Sequence, residues 1–260
     1  MRLEGEVAFI TGGGSGIGQG IARRFAAEGA TVVIADIAGE RAAATADGIN
    51  ADGGRALALT VDVTSEEAVI AAVARATETF GPVSILVNNA GFSLGSDVTK
   101  MTLEQWNANF AVVTGAAFLC SRAVLPAMIE RRHGVILNIS SVNGMTGIGE
   151  EAYSAAKAGL LNLTQNLAIR YGQYGIRANA ISPGSIRTPI WGNRLTEDPG
   201  VLDNLVAWYP LGRIGEVDDV AAAALFLCSP EAGWITGVNL PVDGGLTAGS
   251  YKFLQDLGAG

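Results

Sequence analysis

The sequence predicts an α/β fold, a doubly wound parallel β-sheet of about seven strands with helices on both faces, and three observations predict it. Short apolar, often β-branched runs recur along the 260 residues, and they are continuous rather than alternating, as strands buried on both faces must be. The segments between them carry helical spacing. The composition, 49% hydrophobic and 16% charged with 35 glycines, supplies a large core of small and branched side chains.

The first run spans residues 7–10, and the segment after it places Ile17, Ile21, Ala22 and Phe25 on one helical face. Runs follow at 31–35 and 56–61, then a helical pattern of Val69, Ala72, Val73 and Ala76. The remaining runs lie at 85–87, 135–139, 177–181 and 237–241. This is βαβ alternation, which puts ligands at the carboxyl ends of the strands where the strand order reverses. One domain over residues 1–260 is expected, with no repeat, low-complexity tract or linker. The stretch 183–215 lacks clear periodicity, and residues 184–213 are expected to form a substrate-binding loop or lid.

Lys plus Arg number 17 against 25 Asp plus Glu, a net charge of -8, which argues against nucleic acid and anionic membrane as partners. No apolar run is expected to span a bilayer, and the start of the chain leaves no room for a signal peptide. Cys120 and Cys228 sit in apolar segments, so buried free thiols are expected rather than a disulfide or a metal site, consistent with a cytoplasmic protein.

After the first strand comes Thr11-Gly12-Gly13-Gly14-Ser15-Gly16-Ile17-Gly18, entering a helix. Glycines at 12, 16 and 18 permit a sharp turn, bring backbone N–H groups to a pyrophosphate and let the helix pack closely on the strand. The second strand ends at Asp36, where a carboxylate can accept the ribose hydroxyls of an adenosine and repel a 2'-phosphate. Neither Ser15 nor Ile37 supplies the cation an NADP site needs, so NAD (NAD+/NADH) is the expected cofactor. As a bland alternative, Asp36 could be a helix N-cap.

Tyr153 and Lys157 stand four apart at the start of an alanine-rich helical segment, on one face. A lysine beside a tyrosine favours phenolate, so the phenol's pKa is expected to fall towards working pH for general acid–base chemistry.

Over almost its whole length the sequence resembles the short-chain dehydrogenase/reductase family, a Rossmann-like group. Thr11 to Gly18 is similar to its cofactor turn, Asp62-Val63 to its adenine contact, and Asn88-Asn89-Ala90-Gly91 to its fourth-strand motif. Ser140-Ser141 resembles its serine after the fifth strand, ahead of Tyr153 and Lys157. Pro183-Gly184 with Ile186 and Thr188 is similar to its nicotinamide-side loop, and Val242-Asp243-Gly244-Gly245 to its C-terminal signature. The resemblance implies NAD(H)-dependent hydride transfer between a secondary alcohol and a ketone. Tyr153 would exchange the proton, Ser141 would bind the substrate oxygen and Lys157 would hold the nicotinamide ribose. Ser141 is preferred to Ser140 because Ser141-Val142-Asn143-Gly144 matches the family's Ser-x-x-Gly, although its spacing to Tyr153 is one residue short. A homotetramer is also implied, with one interface on the long helices around 103–130 and 153–171.

The chain departs from the family at Val113, where an asparagine is usual, and valine cannot hold a proton-relaying water. Asn109, one turn earlier, could substitute if the helix is bulged. His133, after Arg131-Arg132, reads as an exposed helix end, and Arg23-Arg24 as a solvated face. Trp191, Trp208 and Tyr209 either wall a pocket, or anchor the lid or line a subunit contact; Glu150 and Glu151 either face substrate or compensate a helix N-terminus. Two other functions compete: a 3-oxoacyl thioester reductase, disfavoured by the acidic charge and Asp36, and a non-catalytic NAD-binding sensor or scaffold, supported only by Val113.

Overall fold

The computed structural model describes residues 1–258, apart from the side chain of Asn193. Seven strands are β1 (Val7–Thr11), β2 (Thr31–Asp36), β3 (Arg55–Thr60), β4 (Ile85–Asn88), β5 (Gly134–Ile139), β6 (Ile176–Pro183) and β7 (Asn239–Val242). They form one parallel sheet in the order β3-β2-β1-β4-β5-β6-β7. The chain runs outward from β1 to β3, then crosses back to β4 on the other side of β1. The carboxyl ends of β1 and β4 therefore open onto the crevice where such sheets bind ligands.

Among the described residues, ten helices connect and cover the strands: α1 (Gly16–Ala27), α2 (Gly39–Ala51), α3 (Glu66–Phe80), α4 (Leu103–Phe110), α5 (Ala116–Arg131), α6 (Glu151–Tyr171), α7 (Gly192–Glu197), α8 (Val201–Val206), α9 (Val217–Cys228) and α10 (Tyr251–Asp256). Period-two alternation divides the strand side chains between two cores. Phe9, Val33, Leu86 and Ile136 pack with α3, α5 and α6 on one face. Ala8, Ile10, Ile34, Val87 and Leu137 pack with α1, α2 and α9 on the other. Local chemistry fixes several starts: Ser65 accepts from the Ala68 N–H at 3.2 Å ahead of α3, and Thr102 with Gln105 closes a reciprocal cap on α4.

Two expectations change. First, α4, a π-helical turn (Ala111–Gly115) and α5 run on as a 29-residue helical stretch, Leu103–Arg131, with the length and apolarity of a membrane span. Half of its most apolar window is buried, and Val112, Val113, Ala116, Cys120 and Val124 belong to the first core, so it occupies the place of a core helix. Second, the aperiodic stretch 183–215 is not a plain loop. It holds a 3-10 turn (Pro189–Trp191), α7 and α8, gathered around a small core of Leu202, Tyr209 and Ile214. Leu195, Val201, Leu205 and Val206 pack against this small core rather than the main sheet, which hides them from a search for long periodic runs.

Both cysteines are buried and free, and burial pushes each thiol up to about 12. His133 is exposed and bonds Glu6 at 3.0 Å, directly after Arg132 closes α5 in the left-handed region.

Candidate active site

The turn after β1 is built to receive an anion. Gly16 has φ of 53°, and a Cβ there would lie 3.3 Å from Thr188, so the start of the lid rests against the turn. At Gly18 a Cβ would collide with the Gly12 carbonyl, so this position sets how closely α1 approaches β1. Ser15 stands at the N-cap of α1 but spends no side-chain bond on capping, and the first turn carries no acidic residue. The leading N–H groups of a 12-residue helix are thus offered to the cleft, a donor set that fits a pyrophosphate. Ile17, in the same turn, is partly buried against the second core.

Thr11 ties the ends of β1 and β4 together: its hydroxyl donates to the Val87 carbonyl and accepts from the Asn89 and Ala90 N–H groups at 3.0 and 3.1 Å. The Asn89 side-chain nitrogen donates to the Thr11 and Gly12 carbonyls, so Asn89 braces the turn. Asp36 is buried at the tip of β2, accepting from Gly14 N–H and Ala38 N–H, both at 2.9 Å. It joins the glycine turn to the second strand, with both carboxylate oxygens accepting backbone N–H groups. Arg41, on the first turn of α2, lies 4.0 Å from Asp36, a cation the sequence reading passed over although its five-residue spacing from Asp36 was visible.

Asp62 is exposed, accepts from the Thr64 N–H and hydroxyl at 2.9 and 2.7 Å, and is held below the usual carboxylate range by those bonds. The side chains of Val63 and Ile186 are buried in the two cores, leaving only their backbones for a ligand. Gly184 lets β6 pass Asp243 and Tyr209 closely. A Cβ on Gly91 would sit 3.6 Å from Lys157 Nζ and 3.8 Å from Val113, which places Gly91, Lys157 and Val113 around one point beyond β4.

Ser141, Tyr153 and Lys157 come together beside that point. Ser140 turns inward and donates to the Lys157 carbonyl at 3.1 Å, whereas the Ser141 hydroxyl bonds Asn143 and lies close enough to the Tyr153 phenol to favour its ionised form. Asn143 then reaches the Gly149 carbonyl and Ser154, fixing the loop that enters α6. Lys157, 3% exposed, donates to the Ile139 carbonyl at the end of β5 at 2.6 Å, and its Nζ lies 5.5 Å from the Tyr153 ring centre.

Burial reverses the electrostatics expected from the spacing. Desolvation raises the Tyr153 phenol to about 12; the Ser141 bond pulls against this and the Glu150 charge adds to it. Desolvation lowers Lys157 to about 7. The phenol is therefore protonated at neutral pH and the amine sits between its charged and neutral forms.

Asn109 does not serve in place of the missing asparagine. It is fully buried, its Nδ2 donates to the Leu94 and Gln105 carbonyls at 2.9 and 2.8 Å, and its Oδ1 accepts from Leu94 N–H at 3.3 Å. It clamps the loop after β4. Val113 is buried in the π-helical turn, the bulge that brings it towards Lys157.

In the lid, Tyr209 is buried and accepts from the Ser185 N–H at 2.7 Å, while the Trp191 indole N–H donates to the Ile186 carbonyl at 2.9 Å. Both anchor the segment; Trp208 remains exposed. Glu150, at the N-cap of α6 with φ of 56°, receives Arg194 from α7 at 2.9 Å, so it meets the lid rather than only compensating the helix.

A family model described as enoyl-(acyl carrier protein) reductase matches residues 12–247. A (2S)-[(R)-hydroxy(phenyl)methyl]succinyl-CoA dehydrogenase subunit of Thauera aromatica is 40% identical over 94% of this chain and 98% of its own length. A 2,5-dichloro-2,5-cyclohexadiene-1,4-diol dehydrogenase of Sphingobium indicum is 41% identical over 95% of this chain and 98% of its own. The crystal structure of a short-chain dehydrogenase/reductase family oxidoreductase from Burkholderia thailandensis superposes with a TM-score of 0.92 at 40% identity, covering 98% of both chains. With the glycine turn, the reversed strand order and the seven-stranded sheet matching throughout, the chain belongs to the short-chain dehydrogenase/reductase family of oxidoreductases.

Proposed function

We propose that the protein is an NAD(H)-dependent oxidoreductase that interconverts a secondary alcohol and a ketone, with Tyr153 as general acid and base. The observation that carries this reading is buried Lys157 held by the Ile139 carbonyl with its Nζ 5.5 Å from the Tyr153 ring centre, at the mouth of the crevice that begins at the glycine turn. Bound there, NAD supplies the acceptor for the hydride that leaves the carbinol carbon. The chain handles the other hydrogen: Ser141 donates to the substrate oxygen, and Tyr153 takes the hydroxyl proton during oxidation or gives it to the ketone oxygen during reduction. Lys157, when charged, steadies the phenolate and can also reach a ribose hydroxyl. Ser15 and the leading N–H groups of α1 would hold the pyrophosphate, Asp36 the adenosine ribose, and Asp62, Val63, Gly91, Pro183, Gly184, Ile186 and Thr188 the flanks. The Asp36 charge favours NAD over NADP. Relatives named for a diol and for a hydroxy(phenyl)methyl compound agree with alcohol chemistry.

A second reading, reduction of a 3-oxoacyl thioester, is favoured by the acyl-carrier description of the family model and by the CoA-linked relative, and disfavoured by the net charge of -8. The acidic charge and the two buried free thiols support a cytoplasmic protein with neither nucleic acid nor membrane as partner, and membership of the family supports a homotetramer acting on a small alcohol or ketone.

The test follows absorbance of the reduced cofactor over a panel of secondary alcohols with NAD and NADP, and over acetoacetyl-CoA with NADH and NADPH, for the parent and Tyr153→Phe. Turnover with NAD that falls by about 100-fold or more in the variant, with cofactor binding intact, is the expected result. Preference for the thioester with NADPH would establish the second reading. Cofactor binding without turnover of any substrate would leave a sensor or scaffold.

A further inference from the structure

Three segments leave the carboxyl ends of the central strands and surround Tyr153: residues 89–102 after β4, 140–150 after β5 and 184–194 after β6. They expose an unusual set of large apolar side chains, Phe92, Leu94, Met145, Ile148 and Ile190. The charged residues of the same segments are each paired. Asp97 meets Lys100 at 3.2 Å, Arg187 meets Glu216 at 3.3 Å, and Glu150 meets Arg194 at 2.9 Å.

The last pair differs from the other two because it joins two elements of the site. Glu150 is the residue before α6, three positions ahead of Tyr153, held in the left-handed region after Gly149, whose carbonyl is gripped by Asn143 and Ser154. Its carboxylate is thus aimed by a braced turn. Arg194 arrives from the lid with its guanidinium over the Trp191 ring at 5.5 Å, and Trp191 is itself tied to Ile186. The ion pair fastens the lid to the start of the catalytic helix and engages Glu150, a carboxylate whose charge acts on the phenol.

We propose that Arg194 is a specificity-determining residue: closed onto Glu150, it holds the lid down and leaves an apolar mouth in which the charged residues of these three segments are all paired, selecting uncharged apolar alcohols and ketones. A substrate carrying a carboxylate would have to lose its hydration against apolar side chains, or break the pair to reach Arg194. The inference rests on the alcohol–ketone reading for its chemistry, but binding can be measured apart from turnover.

Calorimetry with NAD present compares cyclohexanone with 3-oxocyclohexanecarboxylate, mixtures that cannot react because both partners are oxidised. The parent is expected to bind the neutral ketone at least about tenfold more tightly, given the cost of desolvating an unpaired carboxylate. Glu150→Gln, which frees the guanidinium, narrows or reverses that ratio. Arg194→Gln weakens the neutral ketone roughly three- to five-fold, the scale of a partly exposed ion pair. Hydrogen exchange across residues 186–206 is expected to quicken in both variants, a readout of the latch independent of ligand. Equal or tighter binding of the carboxylate by the parent, no binding of the neutral ketone, or a ratio unmoved by Glu150→Gln overturns the proposal. Neutral preference that moves as expected, without turnover of cyclohexanol, supports it and removes only the alcohol–ketone chemistry.

Discussion

Lys157 is a base kept in a place that disfavours its charge. The unfolded chain carries a proton on this lysine up to its ordinary 10.5, whereas the folded chain releases it near 7. Between those values the unfolded state binds more protons, so on this account stability rises with pH from about 7 towards 10.5, and below 7 the cost is present in full. Lys157→Met, nearly isosteric and apolar, should therefore melt higher than the parent at pH 6, by a difference on the order of a few kcal/mol at about 1.4 kcal/mol per pKa unit. That advantage should shrink as the pH approaches 10. Thermal melts across this range check it, and a constant gap would show that the lysine is not penalised by burial. Tyr153 has the complementary problem. With its phenol raised to about 12, only a small fraction is ionised at pH 7, and that fraction grows about tenfold per pH unit. Oxidation needs the phenolate and reduction needs the phenol. The oxidation kcat/KM should climb steadily from pH 6 to 10; initial rates of alcohol oxidation decide it, and a value independent of pH would remove Tyr153 from the proton step.

The helical stretch beside the site shows how local chemistry and site geometry are joined at the next scale. The π-helical turn carries Val113 towards Lys157, while one turn earlier Asn109 is spent holding both polar groups of Leu94. Asn109→Ala leaves a buried N–H and carbonyl unpaired at a cost of about 1–3 kcal/mol. It should raise KM through the loosened loop more than it lowers kcat. Val113→Asn should cost stability on a similar scale unless the amide finds a partner, and leave turnover equal or higher; a clear fall would refute the account in which valine merely lacks a relay. These roles also mark where sequence reading ends. Continuous apolar runs gave the strands to within two residues, because a doubly covered parallel sheet leaves few other uses for them. Tyr153 and Lys157 were legible because helical pitch fixes their relation. What Asn109 holds was not, since its partner is a backbone fifteen residues away whose position depends on the whole loop. Arg194 and Glu150 are 44 residues apart and meet only when the lid folds on its own small core. The reversed pKa shifts needed the third dimension too, because burial outweighs the neighbour that spacing reveals.

For the molecule as a whole, several of the apolar residues left in water fall on two sets of elements. Leu103, Phe118 and Ile169 lie on α4, α5 and α6, which cover one face of the sheet. Trp234 is 100% exposed ahead of the edge strand β7, with Val238 beside it in sequence, and Phe253, Leu254 and Leu257 are exposed at or just after α10. Two separated apolar surfaces on one acidic chain suit two different twofold contacts, which together close a tetramer. Sedimentation at micromolar concentration should therefore give a tetramer for the parent, and dimers for either Ile169→Asp or Trp234→Asp. The two dimers should differ in activity. α6 carries both Tyr153 and Lys157, so exposing its outer face loosens the helix that sets their geometry, and the Ile169→Asp dimer should lose turnover and melt lower. The Trp234→Asp dimer keeps the covered face of α6 and should retain most of its turnover. A monomeric parent would refute the assembly, and equal activity in the two dimers would show that the catalytic helix needs no neighbour to hold it.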